Sequence, residues 1–143
     1  MRGSRFRKDQ RGAALVEFAL VVPFLMLIMC ATIDFGLAIF TLNNLTAAVR
    51  EGGRYAAAKE VVGVNDIEVE NRVYKHLVGL STDMTQAELR AAITNTVPTS
   101  LNENIVVKIT GYRYKPVTPL AAAFGFSNIV MNRTATFRWE RSS

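Results

Sequence analysis

Cysteine is nearly absent from this 143-residue chain: Cys30 stands alone, so no disulfide can close within one copy and the redox state of the compartment stays open. Histidine is as scarce, and His76 has no cysteine, second histidine or pair of acids at ligand spacing, so a metal centre is not expected. Nucleophile–base arrangements, carboxylate pairs and Gly-rich phosphate loops do not assemble either, which argues against an enzyme and against a bound cofactor. Asp66, Glu68 and Glu70 alternate near an expected helix start, where a solvated cluster favoured by the helix dipole accounts for them. Repeats and low-complexity tracts are missing. The net charge is +5, yet Arg2, Arg5, Arg7, Lys8 and Arg11 against Asp9 place +4 of it in the first twelve residues. The remainder is close to neutral and has no basic stripe, so nucleic acid is not an expected partner.

The absence that matters most is charge between Glu17 and Asp34, where sixteen consecutive positions offer water almost nothing. With the small and apolar residues on either side, the segment runs from Ala13 to Phe40. As a helix at ~1.5 Å per residue it would be about 42 Å long, enough to cross a ~30 Å hydrocarbon core. Pro23 falls inside it and is expected to kink rather than end it. The five basic residues before the span predict a cytoplasmic N-terminus and an exported remainder. An ordinary secretory signal peptide does not fit, because the apolar run is too long and D-F-G-L-A-I-F makes a poor cleavage site.

A carboxylate at Glu17 is costly in such a segment unless it has a partner. It could lie at the cytoplasmic interface or pair with Arg11. A second arrangement begins at Gly12: cleavage after it would make Ala13 a charged N-terminus with Glu17 as the fifth residue. Positions one and five share a helix face, and an ammonium suits a buried carboxylate.

The basic leader, Gly12, four small or apolar residues, Glu17-Phe18 and the apolar run resemble a type IV prepilin cleavage site. More narrowly, R-G-A-A-L-V-E-F-A-L-V-V-P-F-L-M-L-I resembles the TadE-like family, the pseudopilins of tight-adherence (Flp) pilus systems. The similarity continues through I-D-F-G, Ile33 to Gly36, and A-A-V-R-E-G-G-R-Y-A-A, Ala47 to Ala57, with Gly53 where the family often has alanine. It covers the first 58 residues strongly and the rest in outline. The resemblance implies processing between Gly12 and Ala13 by a prepilin peptidase. It also implies assembly roles for Glu17 and Phe18, and helix packing at Gly36 alongside Gly52 and Gly53. The expected partners are the inner membrane, that peptidase, a major pilin and a second pseudopilin, in a hetero-oligomer. The expected place is the bacterial inner membrane with a periplasmic C-terminal domain, and possible passage into an extracellular pilus. A membrane-anchored adaptor or sensor is the alternative function, and it has no need of a cleavable Gly12.

Downstream of the span, Leu42, Leu45, Ala48, Val49 and Tyr55 can share one face, so a single helix is expected from about Ala13 to Ala58. Gly52-Gly53 is either a site of close backbone approach or a bent helix end. Val61 to Asp66 reads as a turn, with Asn65 capping a second helix through Glu68 and with Ile67, Val73, Tyr74 and Leu77 apolar, until Gly79 stops it. Thr85 and Glu88 form a capping box for a third helix through Leu89, Ala92 and Ile93, ended by Pro98. Ile105, Val107 and Ile109 alternate as a half-buried strand, and Gly111 shifts the phase to Tyr112 and Tyr114, predicting a bulge. Pro116 and Pro119 close that strand. Leu120 to Phe126 is a core plug or an apolar patch facing membrane or partner. Ile129, Met131, Ala135, Phe137 and Trp139 form the apolar face of a second strand, with Arg133 as its one charge. The expected fold is α+β: a long transmembrane and amphipathic helix, two shorter helices and a C-terminal antiparallel hairpin or small sheet, like a pilin. The expected division is a leader at 1–12, a transmembrane helix at 13–40 and an exported domain at 41–143.

Overall fold

The computed structural model describes residues 6–59, 62–96 and 104–138. One helix dominates it. α1 runs from Phe6 to Ala58, 53 residues, and continues through Pro23 with helix on both sides. At ~1.5 Å per residue it is about 80 Å long. It starts seven residues before the Ala13 expected from the sequence, so Gly12 and Ala13 lie inside a continuous helix.

Around the C-terminal third of α1 the remaining chain builds a core. Helix α2, Ile67–Leu77, and the three-stranded antiparallel sheet β1 (Ile93–Asn95), β2 (Asn104–Tyr114) and β3 (Ile129–Arg138) close over it, with β2 in the centre. Two short helices complete the order: α3, Gln86–Ala91, ahead of β1, and α4, Pro119–Ala123, between β2 and β3. Leu45, Ala48, Val49 and Ala56 of α1 meet Val69, Val73 and Leu77 of α2 and Ile105, Val107, Ile109, Tyr112 and Tyr114 of β2, all buried. Residues recurring every three to four positions in the helices face strand residues recurring every second, which joins both faces in one apolar interior.

The bulge falls where the sequence places it. Gly111 has φ +72°, in the left-handed region that favours glycine, and the β2–β3 register slips between Ile109 and Tyr112. Asn132 accepts from the Gly111 N–H at 2.7 Å, satisfying the donor that leaves the ladder. On β3, Met131 is buried and Ala135 and Phe137 are half-buried, while Val130, Asn132, Thr134, Thr136 and Arg138 are exposed. Arg133, on the covered face, donates its Nε to Thr46 Oγ1 of α1 at 3.2 Å. The capping box is complete, with the Glu88 carboxylate accepting from the Thr85 N–H and the Thr85 hydroxyl accepting from the Glu88 N–H.

Four local expectations need correction. The cap of α2 is Asp66, whose carboxylate accepts from the Glu68 N–H at 2.9 Å; Asn65 precedes it at φ +50° and makes the turn. The apolar face of α2 uses Val69, because Ile67 in the first turn is 67% exposed. The third helix stops at Ala91, and Ile93 begins β1, paired with Ile109; the β-branched Ile93 and Thr94 gain more from the open edge of β2 than from another helical turn. The segment at 120–126 is no core plug, since Ala122 to Phe126 are exposed. Val61, Pro98 and Trp139 lie outside the described residues.

Candidate functional site

α1 leads two lives along its length. From Leu37 on, one side is covered by the domain. Toward the N-terminus it stands bare, and its most apolar eighteen-residue window has a mean hydropathy of 2.5 with none of it buried. From Leu15 to Phe40, fifteen large apolar side chains are exposed. Fully covering a side chain of this kind is worth about 1.5–3 kcal/mol, and these are on average a little over half exposed, so water around all of them would cost about 13–25 kcal/mol, at or above the ~5–15 kcal/mol that holds a domain together. This half of α1 is built for an apolar medium or for other helices.

The residues singled out from the sequence lie along this helix. Gly12, Ala13, Glu17 and Phe18 are exposed, and Gly12 and Gly36 have open space where a side chain would project. Among the residues from Gly12 on whose side chains are described, no cation lies against Glu17. Ala13 and Glu17 are one turn apart, about 6 Å along the axis. Gly52 and Gly53 belong to the other half and are buried. A Cβ at Gly52 would overlap Val73 Cγ2 of α2, and one at Gly53 would overlap the Phe137 ring of β3. What comes close is side chain rather than backbone, from both layers that flank α1.

Where the two halves meet, a clasp fastens the domain to the helix. Asp34 accepts at Oδ1 from the Val117 N–H at 2.9 Å and the Thr118 N–H at 3.1 Å, and at Oδ2 from the Thr118 hydroxyl. Buried Tyr114 donates its hydroxyl to the Asp34 carbonyl at 3.2 Å. Burial, then the Asp34 charge, pushes the Tyr114 phenol up, so it stays a donor. The local sequence sets this up. Pro116 lacks an N–H, which ends strand pairing, and Pro119 takes the first position of α4. The intervening Val117 and Thr118 amides are left without a ladder partner, and the carboxylate takes both. Sequence reasoning marks Asp34 only as the acid of I-D-F-G that closes a sixteen-residue uncharged run, and misses its role as an acceptor.

Beside the clasp, Leu27, Ala31 and Phe35 of α1 face Leu120, Phe124 and Phe126 across an open apolar cavity of about 370 Å³. On the opposite part of the domain Arg50, Arg54, Arg72 and Lys75 line a shallow depression of about 560 Å³ with Glu51 and His76. Its charges are already engaged in part: Arg72 lies 4.9 Å from the centre of the Tyr55 ring and Arg54 pairs with Glu51 at 3.7 Å. Among the described residues no group of three or more histidine, cysteine or acidic side chains could hold a metal ion.

A family model described as TadE-like protein matches residues 12–54. Over that stretch the chain is similar to the TadE-like family. The TadE-like segment begins at Gly12 and takes in Glu17, Phe18, Asp34, Gly36, Gly52 and Gly53, so the bare helix, the clasp acid and the two packing glycines all fall within it. The family is associated with Tad pilus assembly and is pilin-type, generally non-enzymatic. The chain has one N-terminal candidate membrane span, and the family it is similar to is one of the envelope and its pili. No curated protein and no solved structure matches the chain.

Proposed function

We propose that this TadE-like chain is a pseudopilin, a minor pilin-like subunit that serves assembly of a tight-adherence (Flp-type) pilus. Residues 13–40 hold it in the bacterial inner membrane with residues 1–12 cytoplasmic and residues 41–143 in the periplasm. A prepilin peptidase cuts after Gly12, and α1 then joins the major pilin and a second pseudopilin. The protein is a structural subunit without a cofactor. The observation that carries this reading is the bare half of α1: fifteen exposed large apolar residues on a helix whose other half is the spine of a folded domain. A simple tether needs length and apolarity alone. It does not need a carboxylate one helical turn from a glycine-marked cleavage point.

In the precursor, Arg11 stands ahead of the cut; in the mature chain the Ala13 ammonium replaces it. In a bundle of like helices that ammonium comes from the same chain or from a neighbour being added. The pairing between chains fixes the axial register of one apolar helix on another. Removing one partner of a buried pair typically costs about 3–5 kcal/mol. Glu17→Ala should therefore insert and be cleaved normally, yet fail to copurify with the pilin or the second pseudopilin. A processed Glu17→Ala protein that copurifies and supports normal pili would remove the register role and leave a tethered adaptor as the better description.

A further inference from the structure

We propose that residues 117–126 dip into the periplasmic leaflet beside α1, so that acyl chains fill the cavity between α1 and α4. This rests on the reading of residues 13–40 as a membrane span.

Three observations support it. The first is position. Glu17 and Asp34 are seventeen residues apart on α1, about 26 Å along the axis, close to the ~30 Å thickness of a bilayer's hydrocarbon. With Asp34 near the periplasmic headgroups, Leu27, seven residues nearer the N-terminus, lies about 10 Å deeper. Leu27 and Ala31 form one wall of the cavity and α4 the other, so α4 sits beside membrane-embedded turns of the span. Its contacts with α1 make the cavity continuous with the apolar surface of that helix.

The second is chemistry. Between Lys115 and Arg133 seventeen consecutive residues carry no charge. Val117, Phe124 and Phe126 are 61%, 63% and 62% exposed, and Ile129 and Val130 continue the open apolar surface onto β3. Interfacial segments bury their apolar side by about 5–10 Å in the headgroup and acyl boundary, which matches the depth set by α1.

The third is how the polar groups are handled. At the base of the segment Val117 and Thr118 give their amides to Asp34, and within α4 the Phe124 N–H bonds the Leu120 carbonyl at 3.1 Å. Phe126 N–H bonds the Ala121 carbonyl at 2.9 Å. Backbone that enters lipid must satisfy its polar groups internally, and these bonds serve that purpose. A protein partner would need a matching apolar ridge; the acyl chains already surrounding Leu27 and Ala31 need none.

The test uses the full chain in phosphatidylcholine–phosphatidylglycerol vesicles, with Cys30→Ala as background and one new cysteine carrying an environment-sensitive fluorophore. Phe124→Cys and Phe126→Cys report on the segment, Leu25→Cys on the span and Val64→Cys on the exposed far end of the domain. Spin-labelled lipid should extinguish the probes at Phe124, Phe126 and Leu25, while aqueous iodide should extinguish only the probe at Val64. Loss of emission to lipid at Leu25 together with loss to iodide at Phe124 and Phe126 would overturn the dip and leave the span intact. Iodide quenching at Leu25 would remove the span and the dip with it. Shielding of Phe124 and Phe126 from both quenchers would show that protein covers the segment, and would equally overturn the proposal.

Discussion

Gly52→Ala sets helix propensity against packing. In a helix interior alanine is favoured over glycine by ~1 kcal/mol, so propensity alone predicts stabilisation. The structure predicts the opposite sign. A Cβ at Gly52 would overlap Val73 Cγ2 and meet Val107 Cγ1 at 3.5 Å and Val69 Cγ1 at 3.7 Å. All three valines are fully buried. Val73 is β-branched within α2, where one χ1 rotamer strongly dominates, so its methyl cannot swing aside without moving the helix. Overpacking of this kind costs about 1–3 kcal/mol, and subtracting the propensity gain leaves a net loss of about 1 kcal/mol. Urea unfolding of the full chain in micelles, followed by near-ultraviolet circular dichroism, reads the folded domain rather than the micelle-bound helix. With a slope of about 1–2 kcal/mol per molar, the midpoint should fall by about 0.5–1 M. Gly53→Ala should cost less, because the ring it meets belongs to half-exposed Phe137 at the sheet surface and has room to turn. A midpoint that rises for Gly52→Ala would refute the packing account of this glycine.

Two further perturbations test the clasp and the charged contacts. Asp34→Ala removes the acceptor for three donors; at ~1 kcal/mol each, discounted for partial exposure, it should cost about 2 kcal/mol and open Val117 to Phe126 to limited proteolysis. An unchanged digestion pattern would contradict the clasp. Acid should weaken the domain through carboxylates held below their ordinary values. The Thr85 N–H and Arg113 hold Glu88 down at about 2, and Lys59 and Tyr55 lower Glu68. At Asp66 burial works upward but is outweighed by Lys59 and the Glu68 and Gly63 amides. Depressed groups stabilise fully above the ordinary values of 3.8 and 4.5 and lose that contribution as pH falls through the folded ones. The melting temperature should hold from neutrality to about pH 5 and decline from there toward pH 2; a flat profile through that window would show that these contacts add nothing.

Elements written in local pattern were legible in the sequence. The uncharged run gave the bare helix, period-two alternation gave β2 and β3, Gly111 marked the bulge, and Thr85 with Glu88 marked the capping box. Features made by partners distant in the chain were not. Asp34 meets residues more than eighty positions later, and nothing near it announces that Val117 and Thr118 need an acceptor. The edge strand β1 is three residues long, too short for alternation to show, and exists because β2 offers it an open side. The cap of α2 was misplaced by one residue for a similar reason. Asn95 of β1 accepts from the Asp66 N–H and donates to the Gly63 carbonyl, which fixes the turn so that Asp66 caps and Asn65 takes the left-handed position. Gly52 and Gly53 were readable as small residues, but which side chains close over them depends on the packing of α2 and β3.

Whether α1 is delivered as a processed assembly helix is decided by the N-terminal sequence of the protein extracted from the membrane. In cells carrying a prepilin peptidase, the mature chain should begin at Ala13, and in cells lacking the peptidase it should retain Met1. A chain that still begins at Met1 in the presence of the peptidase would contradict processing at Gly12, and with it the Ala13–Glu17 pairing on which the assembly role depends.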